Sequence, residues 1–252
     1  MINIAIVCLD KSRQKYAESL ATELKLSLVS FSSNHCPVLL VVTPTRLELR
    51  LTDSKSFVGP VYVDFLNGVL RHRRLFGGGR NQLIARAIGL KTHYNPIVLD
   101  LTAGLSRDAF ILADLGCKVT MLERNPIIST LLKEGLYNAT KTVEWFRTLQ
   151  LELIESEAQN YLLTTKRSYE VIYIDPMYPI RKKSALSKKE MRILRYIVGR
   201  DEDSPRLLKI ALKKAKRRVV VKRPSLAPKL ANLEPTYSYK GRSSRFDIYL
   251  IR

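Results

Sequence analysis

The sequence has few of the residues that build disulfide frameworks and metal centres. Its 252 residues include three cysteines and three histidines. Cys8, Cys36 and Cys117 are widely separated and stand among apolar residues, which is typical of reduced thiols in a cytoplasm. No two cysteines have metal-ligand spacing, and the histidines form no cluster with them. We therefore expect neither a disulfide scaffold nor a metal cofactor.

Long apolar segments are also missing. The longest aliphatic run, residues 38–42, is far shorter than the roughly 20 residues that a helix needs to cross a bilayer. The N-terminal residues lack a basic n-region and a small-residue cleavage site, so they do not predict an export signal. The sequence thus favours a cytoplasmic protein without membrane contact.

Acidic residues are too few to balance the basic ones. The 43 lysines and arginines against 23 aspartates and glutamates give a formal net charge of +20. A surface of this charge attracts polyanions, and nucleic acid is the commonest polyanion in a cell. There are two alternatives. The basic surface could serve solubility, or it could attract anionic lipid. Of these partners we favour nucleic acid.

The pattern of apolar residues divides the chain into three parts. Residues 1–60 combine a strand, a helix and a hairpin around Pro44, which predicts a small N-terminal α+β subdomain. Residues 61–95 form a basic, glycine-containing connection and a helix. Residues 96–252 alternate strands with helices, which predicts a Rossmann-like α/β domain: a mostly parallel twisted sheet with helices on both faces.

Residues 96–113 carry the pattern around which the rest is organised. A short apolar run ends at Asp100, the chain passes through Gly104, and a helical pattern resumes near Asp108. In an open parallel sheet, the carboxyl ends of the strands and the helix N-terminus face one crevice. A residue without a side chain lets a ligand approach the backbone closely there. The pattern therefore predicts a nucleotide-like cofactor at Gly104.

The charges around this turn indicate which cofactor binds. Glu123 ends the next strand, where a carboxylate can accept both ribose hydroxyls of an adenosine. A dinucleotide site has three spaced glycines for the pyrophosphate, but this turn has one glycine followed by Asp108. An acid repels pyrophosphate and suits the cationic S-adenosylmethionine. The alternative is that Asp108 only complements the helix dipole.

Asp175-Pro176-Met177-Tyr178 follows a later strand and predicts methylation of an exocyclic amine. Asp175 and the Pro176 carbonyl can accept the two N–H bonds of the amine, which orients its lone pair and stabilises the developing positive charge. Tyr178 can stack on the extruded base. The alternative is a proline-bracketed turn with a core tyrosine.

Basic residues near these motifs predict contacts with RNA phosphates. Residues 206–223 hold nine basic residues and no acid, and we expect them close to the mouth of the crevice. For the arginines around the glycine run 77–79, the alternative to phosphate binding is that they belong to a basic connection between domains. The candidate RNA-binding residues are Arg71, Arg73, Arg74, Arg80, Arg181, Lys182, Lys183, Lys222 and Arg223.

Taken together, these residues resemble the bacterial RsmJ family. Its members are class I methyltransferases that transfer a methyl group from S-adenosylmethionine to N2 of a guanine in 16S ribosomal RNA. The resemblance runs from about residue 62 to the C-terminus, through the motifs Arg71-His72-Arg73-Arg74, Gly77-Gly78-Gly79-Arg80, Thr102-Ala103-Gly104-Leu105-Ser106-Arg107-Asp108, Leu122-Glu123-Arg124-Asn125-Pro126, Asp175-Pro176-Met177-Tyr178-Pro179, Lys188-Lys189-Glu190-Met191-Arg192 and Val219-Val220-Val221-Lys222-Arg223-Pro224.

The resemblance implies roles for individual residues. By the resemblance, Arg107, Asp108, Glu123, Arg124 and Asp175 would contact the cofactor or its methyl end, in addition to Gly104 at the turn. Glu157 and Ala158 would hold the adenine. The family more often has two small hydroxyl residues there, and Ser156 is the alternative. The implied partner is 16S ribosomal RNA or the small ribosomal subunit.

Two other functions agree with parts of the sequence. The loop at Asp175 also suits an enzyme of the same fold that methylates adenine N6 in DNA. A non-catalytic RNA-binding or ribosome-assembly protein could keep the fold with a degenerate crevice. The presence of Asp108, Glu123 and Asp175 together argues against the second alternative.

Overall fold

The computed structural model of the chain describes residues 3–31, 36–52, 59–177, 189–199 and 201–251, with residues 189–192 described in their backbone alone. Its strands and helices are, in chain order, β1 (Ile4–Cys8), α1 (Gln14–Leu24), β2 (Val38–Val42), β3 (Leu47–Leu51), α2 (Gly68–Phe76), α3 (Leu83–Ile88), β4 (Ile97–Asp100), α4 (Arg107–Asp114), β5 (Lys118–Glu123), α5 (Pro126–Thr142), α6 (Glu144–Arg147), β6 (Leu151–Glu155), α7 (Ala158–Thr164), β7 (Val171–Ile174), α8 (Lys189–Val198), α9 (Ser204–Lys214), β8 (Arg218–Pro224), β9 (Tyr237–Lys240) and β10 (Ser244–Leu250).

One compact unit contains the described residues before Asp64, the segment Asn125–Asn138, which includes most of α5, and the helix α8. Its described part forms a three-stranded sheet in the order β1-β2-β3, in which β1 and β2 are parallel and β2 and β3 are antiparallel. The aliphatic strand β2 is buried along its whole length. The predicted N-terminal strand, helix and hairpin are thereby confirmed. The domain boundaries 1–60, 61–95 and 96–252 stay predictions.

The second compact unit contains the candidate site. Its described residues form a seven-stranded sheet in the order β6-β5-β4-β7-β8-β10-β9. The strands β4, β5, β6, β7 and β8 are parallel, and β10 pairs antiparallel with both β8 and β9. The chain order reverses at β4, so the loops after β4 and β7 leave the sheet beside a switch point, where α/β sheets bind ligands. The predicted Rossmann-like fold is confirmed.

Alternation along the strands separates the core from the site. Leu99, Ile172 and Val221 point to one face, where they pack in a core cluster with residues of α7 and α9. Successive strand residues point to opposite faces. Asp100, Tyr173 and Lys222 therefore share the other face, where α4 lies and Tyr173 bonds with its Asp108. Because side chains alternate between the two faces with a period of two residues, these polar residues from β4, β7 and β8 lie on the same face.

Within this described part of the chain, no helix is both long enough and apolar enough to span a membrane. The helices instead bury one side against the sheet. Leu162 of α7 is 1% exposed in the core cluster, whereas the neighbouring Leu163 is 57% exposed.

This neighbouring pair provides a stability test of the core. We expect Leu162→Ala to lower the free energy of unfolding by about 2–5 kcal/mol, because truncation leaves a cavity in a packed interior. Leu163→Ala is the matched control and should change it by no more than about 0.5 kcal/mol. Urea unfolding followed by circular dichroism measures both. Equal effects of the two substitutions would contradict the described burial of α7.

Candidate active site

A lysine joins two of the predicted acids at the carboxyl end of the sheet. The Lys222 ammonium from β8 donates to Asp108 Oδ2 and to Asp175 Oδ2, each at 2.8 Å. The Asp108 side chain is 9% exposed, whereas the Asp175 side chain is 39% exposed. Asp108 is thus the enclosed member of the cluster, and Asp175 is the member accessible to a ligand.

Asp108 has two more partners. Its Oδ1 accepts from Arg73 Nη1 at 2.7 Å, and its Oδ2 accepts from the Tyr173 hydroxyl at 2.6 Å. Burial by itself would raise the pKa of Asp108, but the charges of Lys222 and Arg73 lower it to about 2. Asp108 is therefore an ionised anchor that holds three other side chains in place.

Lys222 and Asp175 control each other's charge. Burial by itself would lower the pKa of Lys222, but Asp175 and Asp108 raise it above its ordinary value, so the ammonium stays charged. Burial raises the pKa of Asp175, and the charge of Lys222 limits that rise. A lysine fixed between two carboxylates thus opposes protonation of Asp175.

A second set of bonds positions the backbone of Asp175. Asp100 at the end of β4 accepts the Thr102 N–H at 2.9 Å, and the Thr102 hydroxyl accepts the Asp175 N–H at 2.7 Å. Burial raises the pKa of Asp100 to about 7, with a further contribution from the charges of Asp108 and Asp175. Asp100 therefore supports the loop after β7 without facing solvent itself.

The raised pKa of Asp100 predicts a change of stability with pH. Between about pH 4 and pH 7 the folded protein retains a proton that the unfolded chain releases, so Asp100 makes the fold less stable as the pH rises. Asp100→Asn keeps an oxygen for Thr102 and cannot ionise. We expect the stability of this variant relative to wild type to increase by about 2–4 kcal/mol from pH 4.5 to pH 8. Urea unfolding at several pH values checks this, and a pH-independent difference between the two proteins would contradict it.

The turn after β4 has the open backbone that the sequence predicts. Gly104 has φ +53, and an added Cβ there would meet no heavy atom nearer than Thr102 O at 3.9 Å. Glu123 Oε2 at the end of β5 accepts the Gly104 N–H at 3.0 Å. Ser106 also has a left-handed backbone, at φ 58, and its buried hydroxyl contacts Met121 Sδ at 2.7 Å. Ser106 therefore adopts a backbone conformation that favours glycine, while its side chain leaves the space at Gly104 open.

Arg124 is connected to the loop after β7 through an acid. Its guanidinium pairs with Asp201 at 2.5 Å and with Asp203 at 2.9 Å. Asp201 also accepts the Met177 N–H at 2.7 Å. Asp201 thus connects the end of β5 to the loop that contains Asp175.

The predicted adenine-binding pair begins α7. The Glu157 side chain caps this helix by accepting the Asn160 N–H at 2.9 Å, and Ala158 is 6% exposed. Ser156 lies beside Glu123, because its N–H donates to the Glu123 carbonyl at 3.1 Å. Contact of Glu157 and Ala158 with adenine stays a prediction. The other predicted cofactor contacts also stay predictions: those of Gly104, Arg107, Asp108, Glu123, Arg124 and Asp175.

Most of the described RNA-binding candidates contact the protein itself. Besides Arg73 and Lys222, Arg74 pairs with Asp114 at 2.7 Å, and Arg80 donates to Asn95 at 3.0 Å. Arg223 is 6% exposed and donates to the Pro228 carbonyl. Arg71 is exposed. Tyr178, Arg181, Lys182 and Lys183 lie outside the described residues, and RNA contact by the whole set stays a prediction.

The expectation for residues 206–223 requires a correction. The helix α9 returns from the carboxyl edge of the sheet to its amino edge, where β8 begins opposite the first residue of β7. The exposed Lys213, Lys214, Lys216 and Arg217 therefore lie at the edge opposite the crevice. A crossover helix between parallel strands separates residues that a charge count groups together.

Sequence reasoning identified the acids but missed what holds them. Tyr173, Thr102 and Asp201 were not singled out, and Arg73 and Lys222 were assigned to RNA instead. Strand alternation could have identified Tyr173 and Lys222. Each lies two residues before the crevice end of its strand, Asp175 after β7 and Pro224 in β8, and residues two apart in a strand share a face.

Comparisons with known proteins identify the family of the chain. The SAM_MT family model, described as a SAM-dependent methyltransferase, matches residues 19–251. The chain belongs to this family. A Coxiella burnetii protein named Ribosomal RNA small subunit methyltransferase J is 60% identical over 249 residues, which cover 99% of this chain and 97% of that protein. The Tolumonas auensis protein of the same name is 46% identical, with 100% of this chain and 99% of that protein covered.

A solved structure agrees with the fold. The crystal structure of a SAM-dependent methyltransferase from Neisseria gonorrhoeae has a TM-score of 0.74 and 35% identity, and the match covers 98% of this chain and 96% of that one. The resemblance to RsmJ methyltransferases is confirmed. The similarity also extends further than the sequence motifs indicated, because these matches include residues before 62.

Proposed function

We propose that the chain methylates the exocyclic N2 amine of a guanine in 16S ribosomal RNA, with S-adenosylmethionine as the methyl donor. The observation that carries this proposal is the placement of Asp175, which is partly exposed and held by Lys222 and Thr102. The near full-length similarity to proteins named Ribosomal RNA small subunit methyltransferase J supports the choice of ribosomal RNA.

The residues at this edge of the sheet fit S-adenosylmethionine. The open backbone of Gly104 admits a close ligand, Glu123 would hold the ribose hydroxyls, and Asp175 would contact the methyl end. When bound, S-adenosylmethionine supplies a methyl group on a positively charged sulfur and leaves as S-adenosylhomocysteine. Asp108 is enclosed by Lys222, Arg73 and Tyr173, so we assign it to positioning these side chains in place of the direct cofactor contact that the sequence predicted.

Asp175 acts on the target amine. Its carboxylate accepts an N–H of the amine, directs the nitrogen lone pair to the reacting carbon and stabilises the positive charge that develops on nitrogen. After transfer, the methylated nitrogen releases its surplus proton to water. The Pro176 carbonyl accepts the second N–H. Tyr178 stacks on the extruded base. These steps use no metal. The proposed location is the cytoplasm, where ribosomal subunits assemble.

Product analysis tests the proposed activity. Purified protein is incubated with methyl-labelled S-adenosylmethionine and either small-subunit ribosomal RNA or duplex DNA, and the nucleosides are separated by mass spectrometry. We expect N2-methylguanosine from the RNA and no labelled product from the DNA. N6-methyladenine from DNA would replace the proposal with the adenine-methylating alternative.

Cofactor binding tests the non-catalytic alternative separately. Isothermal titration calorimetry with S-adenosylmethionine should give one saturable site per chain. Absence of binding, together with retained affinity for RNA, would favour an RNA-binding or assembly protein with a degenerate crevice.

A further inference from the structure

The helix α2 is attached to the candidate active site along one side. Arg73 donates to Asp108 at 2.7 Å and to Gln82 at 2.9 Å. Arg74 pairs with Asp114, and its guanidinium lies 3.6 Å from the centre of the Trp145 ring. These two arginines flank the buried Leu70 on the helix surface. Their contacts fix the position of α2 relative to Asp108.

The opposite side of α2 is apolar and aromatic, yet it is exposed. Val69 is 65% exposed and Phe76 is 72% exposed, and with the exposed His72 they follow the spacing i, i+3, i+7 of one helix face. The His72 and Phe76 rings lie 5.2 Å apart. Leu75 beside them is 52% exposed. Single exposed apolar residues are ordinary, but a cluster on one side of a nine-residue helix marks a binding surface.

Charge favours a nucleic acid on this surface. The helix contains no acid, and Arg71, which precedes His72 in the chain, is exposed. A second copy of this chain would bring its own charge of +20 towards the same face. Unpaired nucleotides combine a flat base with a negative phosphate, so they match an aromatic pair beside a guanidinium.

We propose that α2 is a stacking platform for unpaired nucleotides of the RNA substrate. The His72 and Phe76 rings stack on bases that neighbour the target guanine, and Arg71 contacts the backbone phosphate. Arg73, Asp108 and Lys222 form a continuous chain of contacts from this helix to Asp175, which keeps the platform in register with the reacting base. This inference rests on the proposed function, because it assumes an RNA substrate.

The test measures RNA affinity directly and does not depend on methyl transfer. Filter binding with small-subunit ribosomal RNA compares wild type with Phe76→Ala, Phe76→Leu and Phe76→Trp. We expect a loss of about 10-fold or more in affinity for Phe76→Ala. Phe76→Leu, which keeps apolar area but removes the ring, should lose nearly as much, and Phe76→Trp should retain wild-type affinity. Leu163→Ala is the exposed control on α7 and should bind as wild type does.

Salt dependence separates stacking from charge. Arg71→Ala should reduce the slope of log affinity against log salt by about one, whereas Phe76→Ala should lower affinity without changing the slope. Wild-type affinity in Phe76→Ala would overturn the platform, as would full retention in Phe76→Leu, which would indicate a nonspecific apolar contact. A change of oligomeric state in Phe76→Ala with unchanged RNA affinity would also overturn it and assign the surface to a second copy.

Failure of the inference is distinguishable from failure of the proposed function. If the α2 variants bind and methylate RNA as wild type does, the platform is wrong and the methyltransferase proposal stands. If wild type transfers no methyl group to RNA but its affinity depends on Phe76, the platform stands without the activity.

Discussion

Asp175→Ala is expected to lower methyl transfer to RNA by about 100-fold or more, while the affinity for S-adenosylmethionine changes far less. The carboxylate stabilises charge that is present only as the methyl group moves, and removal of one such group typically costs about 10²–10³ in rate. Single-turnover transfer with labelled S-adenosylmethionine measures the rate, and calorimetry measures cofactor affinity.

Two further variants make this result specific to the carboxylate. Asp175→Asn retains an oxygen that can accept one N–H, so its loss in rate should be smaller than that of the alanine variant. Glu234→Ala removes a side chain that is 77% exposed and pairs with Lys229, and it should leave both measurements unchanged. Equal losses in rate and cofactor affinity for Asp175→Ala would contradict the assigned role.

Lys222→Met is expected to reduce methyl transfer by about 10-fold or more at neutral pH, with partial recovery as the pH is raised. Without the ammonium, burial and the charge of Asp108 are no longer offset by Lys222, so the pKa of Asp175 rises and more of it is protonated. Among the residues that the structure describes, the charged or titratable neighbours that remain around the site include Asp100, Asp108, Asp201, Tyr173 and Arg73.

The pH profile of kcat/KM measures this effect. The acidic limb should move to higher pH in Lys222→Met, whereas Lys222→Arg, which keeps the charge, should stay close to wild type. Weaker RNA binding with an unshifted profile would instead support the sequence-based assignment of Lys222 to RNA. Cofactor affinity, measured in parallel, separates either effect from a disrupted crevice.

The sequence predicted the fold because its apolar periodicity is strong. The runs before Asp100 and Glu123 form β4 and β5, and Asn125 caps α5 by accepting the N–H groups of Ile127 and Ile128 at 3.0 and 3.2 Å. The edge strand β9 was missed, because its side chains are only partly buried and do not give a clear apolar pattern. Local patterns thus locate buried elements more readily than exposed ones.

The acids of the site were predictable, but their partners were not. Asp108 is separated from Arg73 by 35 residues and from Lys222 by 114 residues, and nothing in the local sequence encodes these pairs. A count of basic residues also cannot separate a lysine that neutralises a buried acid from one that contacts RNA. Lys222 illustrates this, because its charge faces Asp108 and Asp175.

The central claim is that the acid-lined end of the parallel sheet methylates a guanine of 16S ribosomal RNA. Mass spectrometric mapping of methylated nucleosides tests it most directly, in RNA from cells that lack this protein and from the same cells supplied with wild type or Asp175→Ala. We predict that one guanine loses its N2 methyl group without the protein, regains it with wild type and does not regain it with Asp175→Ala. An unchanged methylation map in cells without the protein would contradict the account.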